Sequence, residues 1–161
     1  MTADNMDHEK FMKKAIAKCR EGIKKGQTPF GACIVQGNKI ISCAHNTVWG
    51  DIDITAHAEI NAIKEACAKL EDVHLSDCII FSTTEPCPMC FSAIHWARIK
   101  EIYYGTSIGD AKKFGFNELE ISNQTMNDIG KCSKKIIPNI LHEECLDLFK
   151  EWKKLNKDKA Y

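Results

Sequence analysis

Two short motifs constrain this chain more than anything else in it: His57-Ala58-Glu59 and, thirty residues on, Cys87-Pro88-Met89-Cys90. Any fold that makes use of them must bring the two together. Cys87 and Cys90 are three apart at the start of a segment that opens with proline, a spacing that turns both sulfurs to one helix face. His57 is the candidate third donor. A zinc held by one imidazole and two thiolates keeps its fourth position for water, whose pKa falls there from about 15.7 to about 7. Glu59 lies two residues from His57 and off that residue's helical stripe, which suits a neighbouring acid/base better than a second ligand.

Duller readings of the same residues exist. Two core cysteines beside an unrelated histidine would need the type, order and helical context of two half-motifs to agree by accident. A redox Cys-x-x-C also sits at a helix start, but leaves His57-Ala58-Glu59 without a task. A closed structural zinc module needs a fourth protein ligand, and Cys78 is the nearest in sequence.

The rest of the chain reads as one α/β domain. Its 161 residues are 44% apolar, enough for a single core. Phe11, Met12, Ala15, Ile16, Cys19 and Ile23 recur at helical spacing up to Gly26. Short β-type runs at 32–36 and 39–44 flank Gly37-Asn38, a hairpin dipeptide. A second helix is expected over 55–70, with Thr55 available as its cap. Strand, helix and strand follow at 78–82, 88–97 and 99–104, an alternation that favours a layered sheet with helical crossovers. The stretch 106–133 is polar and glycine-punctuated, and residues 143–154 read as a terminal helix.

Basic and acidic residues balance at 22 each, so no polyanionic partner is announced and nucleic acid is not expected. The nine cysteines are odd in number, and Cys33, Cys43, Cys67 and Cys78 lie inside apolar runs, which suits a reducing, cytoplasmic setting better than a disulfide framework. Residues 1–10 lack the apolar stretch of a signal peptide, and no segment reaches the roughly 18 apolar residues of a membrane span.

His-Ala-Glu followed by Pro86-Cys87-Pro88-Met89-Cys90 resembles the H-x-E…P-C-x-x-C signature of zinc-dependent nucleobase deaminases. With Pro29-Phe30-Gly31-Ala32, the run 93–98 around Trp96, the segment Gly115-Phe116-Asn117-Glu118 and the terminal Tyr161, the chain is similar to the guanine deaminases of the cytidine-deaminase-like fold. That resemblance implies a three-layer α/β/α domain over 1–161 with a central mixed five-stranded sheet, and one zinc per subunit on His57, Cys87 and Cys90. It implies that Glu59 moves protons while guanine becomes xanthine and ammonia. It further implies that Asn46 hydrogen-bonds the purine, Phe30 lines its face, Trp96 shapes the pocket, and the backbone N–H of Ala58 faces the reacting oxygen. Glu118 would contact the ring and assist proton transfer.

The tail, about 150–161, would cross to the partner of a homodimer, where Tyr161 closes the active site; by itself this hydrophilic end reads as frayed. At 117–118, Asn-Glu departs from the usual aspartate and resembles plant guanosine deaminases, so base and nucleoside both remain open. A tRNA adenosine deaminase, with its basic terminal helix, and a non-enzymatic zinc module stay as rivals. The other histidines, His8, His45, His74, His95 and His142, have no partner at metal-ligand spacing and are read as structural or exposed.

Overall fold

The computed structural model describes residues 6–156 and 158–161. The first five residues of the polar N-terminus and Lys157 of the basic tail therefore lie outside the described residues. Helix α1 (His8–Lys24) begins where the Asp7 carboxylate accepts from the Lys10 N–H at 3.0 Å, and its apolar stripe is buried as the spacing predicts. Strands β1 (Gly31–Gln36) and β2 (Lys39–His45) form the expected hairpin, with Gly37 at φ +56° in its turn. A short helix α2 (Val48–Asp51) then leads to α3 (Ala58–Leu70), β3 (Cys78–Thr84), α4 (Pro88–Trp96) and β4 (Glu101–Thr106). The polar stretch after β4 holds α5 (Ile108–Lys113), α6 (Asn123–Ile129) and a three-residue strand β5 (Lys135–Ile137), none of which its periodicity reveals. Helix α7 (His142–Leu155) ends the regular structure.

The sheet order is β2-β1-β3-β4-β5; β1 is antiparallel to both neighbours, and β3, β4 and β5 run parallel. This is the mixed five-stranded sheet of a three-layer α/β/α fold. Because side chains alternate along a strand, each strand feeds two cores. Cys33, Val35, Phe81 and Tyr103 face α1 and α7, where Phe11, Met12, Phe149 and Trp152 are buried. Ala32, Ile34, Ile80 and Ile102 face α3 and α4, against Ala62, Ala66, Phe91 and Ile94. The alternation has a chemical consequence: Ser82, two residues after Ile80, points toward the α3 layer.

Two expectations need correction. Thr55 does not cap α3; its hydroxyl donates to Asp53 Oδ1 at 2.7 Å, and His57 occupies the cap position without a side-chain cap bond. Cys33 and Cys43, read as unrelated residues of two apolar runs, are direct cross-strand neighbours, since antiparallel register sets them opposite each other with Cα atoms 4.2 Å apart. No helix among the described residues is long and apolar enough to cross a membrane.

Gly105 on β4 lies where an added Cβ meets Cys145 of α7 and comes within 2.8 Å of the Thr83 carbonyl. Gly105→Ala is expected to destabilise the fold by about 1–3 kcal/mol through overpacking. The check is a lower urea midpoint at unchanged slope.

Candidate active site

Helices α3 and α4 both start beside the C-terminal end of β3, and their first residues carry the chemistry. His57 is the cap residue of α3 and Cys87 that of α4; Pro88 fills the first turn of α4, where no backbone donor is needed. The side chains of His57, Cys87 and Cys90 present donor atoms within 4.8 Å of one another. His57 Nδ1 lies 3.7 Å from Cys87 Sγ and 3.6 Å from Cys90 Sγ. Zinc bonds of about 2.3 Å to sulfur and about 2.0–2.1 Å to nitrogen, at a tetrahedral angle, set those atoms about 3.6 Å apart. The trio therefore fits zinc. The Cys90 thiol and His57 pull the Cys87 thiol down to about 4. Its contact with Cys87, together with burial, pushes Cys90 up when no cation is bound. Two converging helix N-termini add favourable potential for thiolates and for any oxyanion at the open position.

Glu59 stands in the first turn of α3 and is buried. Ser82 Oγ donates to its Oε1 at 2.9 Å, while Oε2 faces the Cys90 sulfur at 3.5 Å. Burial raises its pKa, and the His57 ring works against that rise. One carboxylate oxygen is thus tethered to the sheet and the other is turned toward the metal trio. Cys78, the alternative fourth ligand, is the first residue of β3 and lies outside the trio.

Residues 5–106 match the cytidine and deoxycytidylate deaminase zinc-binding region. The chain belongs to this deaminase family. The guanine deaminase of Bacillus subtilis (strain 168) is 39% identical to it over 160 residues, spanning 97% of this chain and 100% of that one. The tRNA-specific adenosine deaminase of Aquifex aeolicus (strain VF5) is 43% identical over 99 residues, 62% of this chain and 66% of its own. A solved variant of the protein NE0047 in complex with 8-azaguanine superposes with a TM-score of 0.87 at 25% identity, over 94% of this chain and 86% of that one.

In this deaminase His57 and Cys87 line two adjoining cavities, and Glu59 lines the smaller of them. The inner one, about 20 Å³, is lined by Phe30, Thr84, Glu85, Glu118 and Tyr161 besides the metal-site residues. An outer mouth of about 260 Å³ is lined by Ile54, Pro88, Met89, Phe116, Asn117, Leu119 and again Glu118 and Tyr161. Burial, reinforced by the charges of Cys87 and Glu59, pushes Glu118 up to about 7. Phe30 packs edge-on against Phe116 and Phe149, so it serves cavity and core together. Ala58 is buried as the first residue of α3, and its N–H has no intrahelical acceptor.

Asn46 is fully buried. Its Oδ1 accepts from the Val48 N–H at 3.0 Å and its Nδ2 donates to the Tyr161 hydroxyl at 2.6 Å. The tail reaches Asn46 within one chain. Trp49 Nε1 donates to the Lys159 carbonyl at 2.8 Å, and the Asn117 N–H donates to the Tyr161 carbonyl at 2.9 Å. Trp96 departs from expectation: it is 80% exposed and lines neither cavity, because the last position of α4 turns away from the side that buries Cys90 and Ile94. Sequence reasoning passed over Ser82, Trp49 and Thr28, whose hydroxyl lies 3.4 Å from that of Tyr161. Only Ser82 left a signal, its period-two spacing from the buried Ile80.

Cys90→Ala is expected to abolish stoichiometric zinc in elemental analysis of the purified, reduced protein. Cys78→Ala is expected to keep it, and loss of zinc in both variants would mean a closed structural site.

Proposed function

We propose that this deaminase hydrolyses guanine to xanthine and ammonia, with Glu59 as the proton carrier. The observation that carries the proposal is the buried Glu59 carboxylate, tethered through one oxygen by Ser82 with the other turned to a three-donor metal trio. Zinc, when bound, supplies the polarisation that makes water nucleophilic near neutral pH. Glu59 accepts a proton from that water as its oxygen bonds to the amino-bearing C2 of the base, and delivers it to a ring nitrogen. The proton left on the oxygen added at C2 passes by way of Glu59 to the amine as the C2–N bond breaks and the C2 carbonyl forms, and ammonia leaves. The Ala58 N–H at the start of α3 donates to the oxygen as charge develops there. Asn46 and Phe30 hold the purine by hydrogen bond and ring contact. Glu118, held near neutrality between its two forms, sits where it can exchange a proton with the ring.

The substrate follows from three supports. A guanine deaminase spans 97% of the chain at 39% identity, whereas tRNA-specific adenosine deaminases that span 84% and 90% of it are 35% and 32% identical. Charge balance gives no general field for tRNA. The mouth of the site is built largely from Ile54, Pro88, Met89, Phe116 and Leu119, which offer a ribose few hydrogen-bond partners, and unpartnered hydroxyls are costly to desolvate. Free guanine is therefore preferred over guanosine.

Glu59→Gln is expected to retain zinc and lose about 10²–10⁴-fold in turnover, the usual worth of a general acid/base. An ammonia-release screen should rank guanine above guanosine, adenine and cytosine. A substantially active glutamine variant would remove Glu59 from the mechanism, and preference for adenosine in tRNA would replace the substrate.

We propose further that the protein is a homodimer that exchanges tails. Removing Tyr161 is expected to cripple turnover while leaving zinc content unchanged. Mixing the Tyr161-deleted chain with Glu59→Gln chains is expected to restore activity, because one site then combines an intact Glu59 with the partner's intact tail. No recovery after subunit exchange would mean that each tail serves its own chain.

A further inference from the structure

One buried carboxylate takes no part in the chemistry above. Glu85, only 6% exposed, follows β3 directly and stands two residues before Cys87. Its two oxygens accept from two backbone N–H groups far apart in sequence: Oε1 from Asn123 at 2.8 Å, and Oε2 from Ile108 at 3.1 Å. Ile108 is the first residue of α5 and Asn123 the first residue of α6, positions whose N–H groups have no intrahelical acceptor. Asn123 Nδ2 also donates to the Pro86 carbonyl at 2.6 Å.

The chain between those two donors carries Phe116, Asn117 and Glu118 to the cavity, and the Asn117 N–H holds the carbonyl of Tyr161. Apart from short α5 it has little regular structure of its own, so its course depends on how its ends are held. Both ends are held by the same side chain, and that side chain belongs to the loop that presents Cys87. Hydrogen bonds to a charged acceptor are the stronger kind, and in a buried setting they fix geometry as well as adding stability.

We infer that Glu85 is a positioning residue: it clamps both ends of the 108–123 segment to the metal-donor loop and thereby sets where Glu118 stands relative to Glu59. The kinetic consequence rests on the proposed guanine deamination; the structural consequence does not.

Asn123 offers a clean test. It occupies the first helical position, where proline is well accommodated, and Ser122 before it is extended at φ −67°, ψ 156°, as a residue preceding proline should be. Asn123→Ala and Asn123→Pro both remove the side-chain amide, but only proline removes the N–H that Glu85 accepts. In the zinc-loaded protein, backbone amides at 116–118 are expected to exchange with solvent faster in Asn123→Pro than in Asn123→Ala. Turnover of guanine at saturation should fall about tenfold further in the proline variant, near the low end for a lost hydrogen bond to a charged group. Repeated in a Glu118→Gln background, that difference should disappear, since the residue being positioned has lost its function. A difference that persists there marks general destabilisation and overturns the inference, as do equal exchange and equal turnover in the two variants. Should Asn123→Pro fail to fold, Glu85→Gln, whose amide turns a donor toward one of the two N–H groups, is read by the same exchange and background comparison. If the unmodified protein releases no ammonia from guanine, the deamination reading fails while the exchange comparison still decides the clamp.

Discussion

The meeting of two helix N-termini at the end of one buried strand is the constraint on which the rest of this molecule depends. Cys87 and His57 each stand at a cap position, so their side chains leave the backbone where unsatisfied N–H groups and the helix dipole favour negative charge. Neither helix could supply the site alone. Helix α3 contributes the imidazole and the carboxylate, helix α4 contributes both sulfurs, and the sheet face they share, with β3 in it, sets their separation. That strand also gives Ser82, whose hydroxyl keeps one oxygen of Glu59 occupied and leaves the other for the reaction. A carboxylate buried among thiols and an imidazole is expensive to maintain unless its hydrogen bonds are made. Here the sheet makes one and the metal site faces the other.

Around this centre the C-terminal third does a different job. The metal-binding half could open onto solvent at the end of the sheet; instead Phe116, Glu118 and Tyr161 close over it. The inner cavity, about 20 Å³, has room for little more than one water, which needs roughly 10–15 Å³. The adjoining mouth, about 260 Å³, is the larger space, and Tyr161 lines both. Access and substrate recognition are coupled through one side chain, and specificity is written in segments whose own stability is low.

Legibility in the sequence followed the length of each element. Helix α1, the β1–β2 hairpin and α7 bury long stripes, so their apolar period carries through noise. Helices α5 and α6, with six and seven residues, complete fewer than two turns, and β5 has three residues. No pattern is long enough there to register, and their boundaries come from Ser107 and Ser122 caps and from Glu85. The metal trio and Glu59 were legible because their spacing is a local property of two helix starts. Trp96 misled because its identity carries no statement of which way a helix end faces, and Thr55 because a cap residue competes with a nearby Asp53.

By itself, then, the order of amino acids determined the donor set, the carboxylate beside it and the alternation of strands with helices. These are matters of chemical type and short-range spacing, which the chain carries before it folds. Tertiary structure alone decided that Ser82 meets Glu59, that one glutamate holds two distant backbone donors, and that the polar tail reaches Asn46. Each of those joins groups separated by loops whose closure is favourable only once the two cores have condensed. No window of sequence contains both partners.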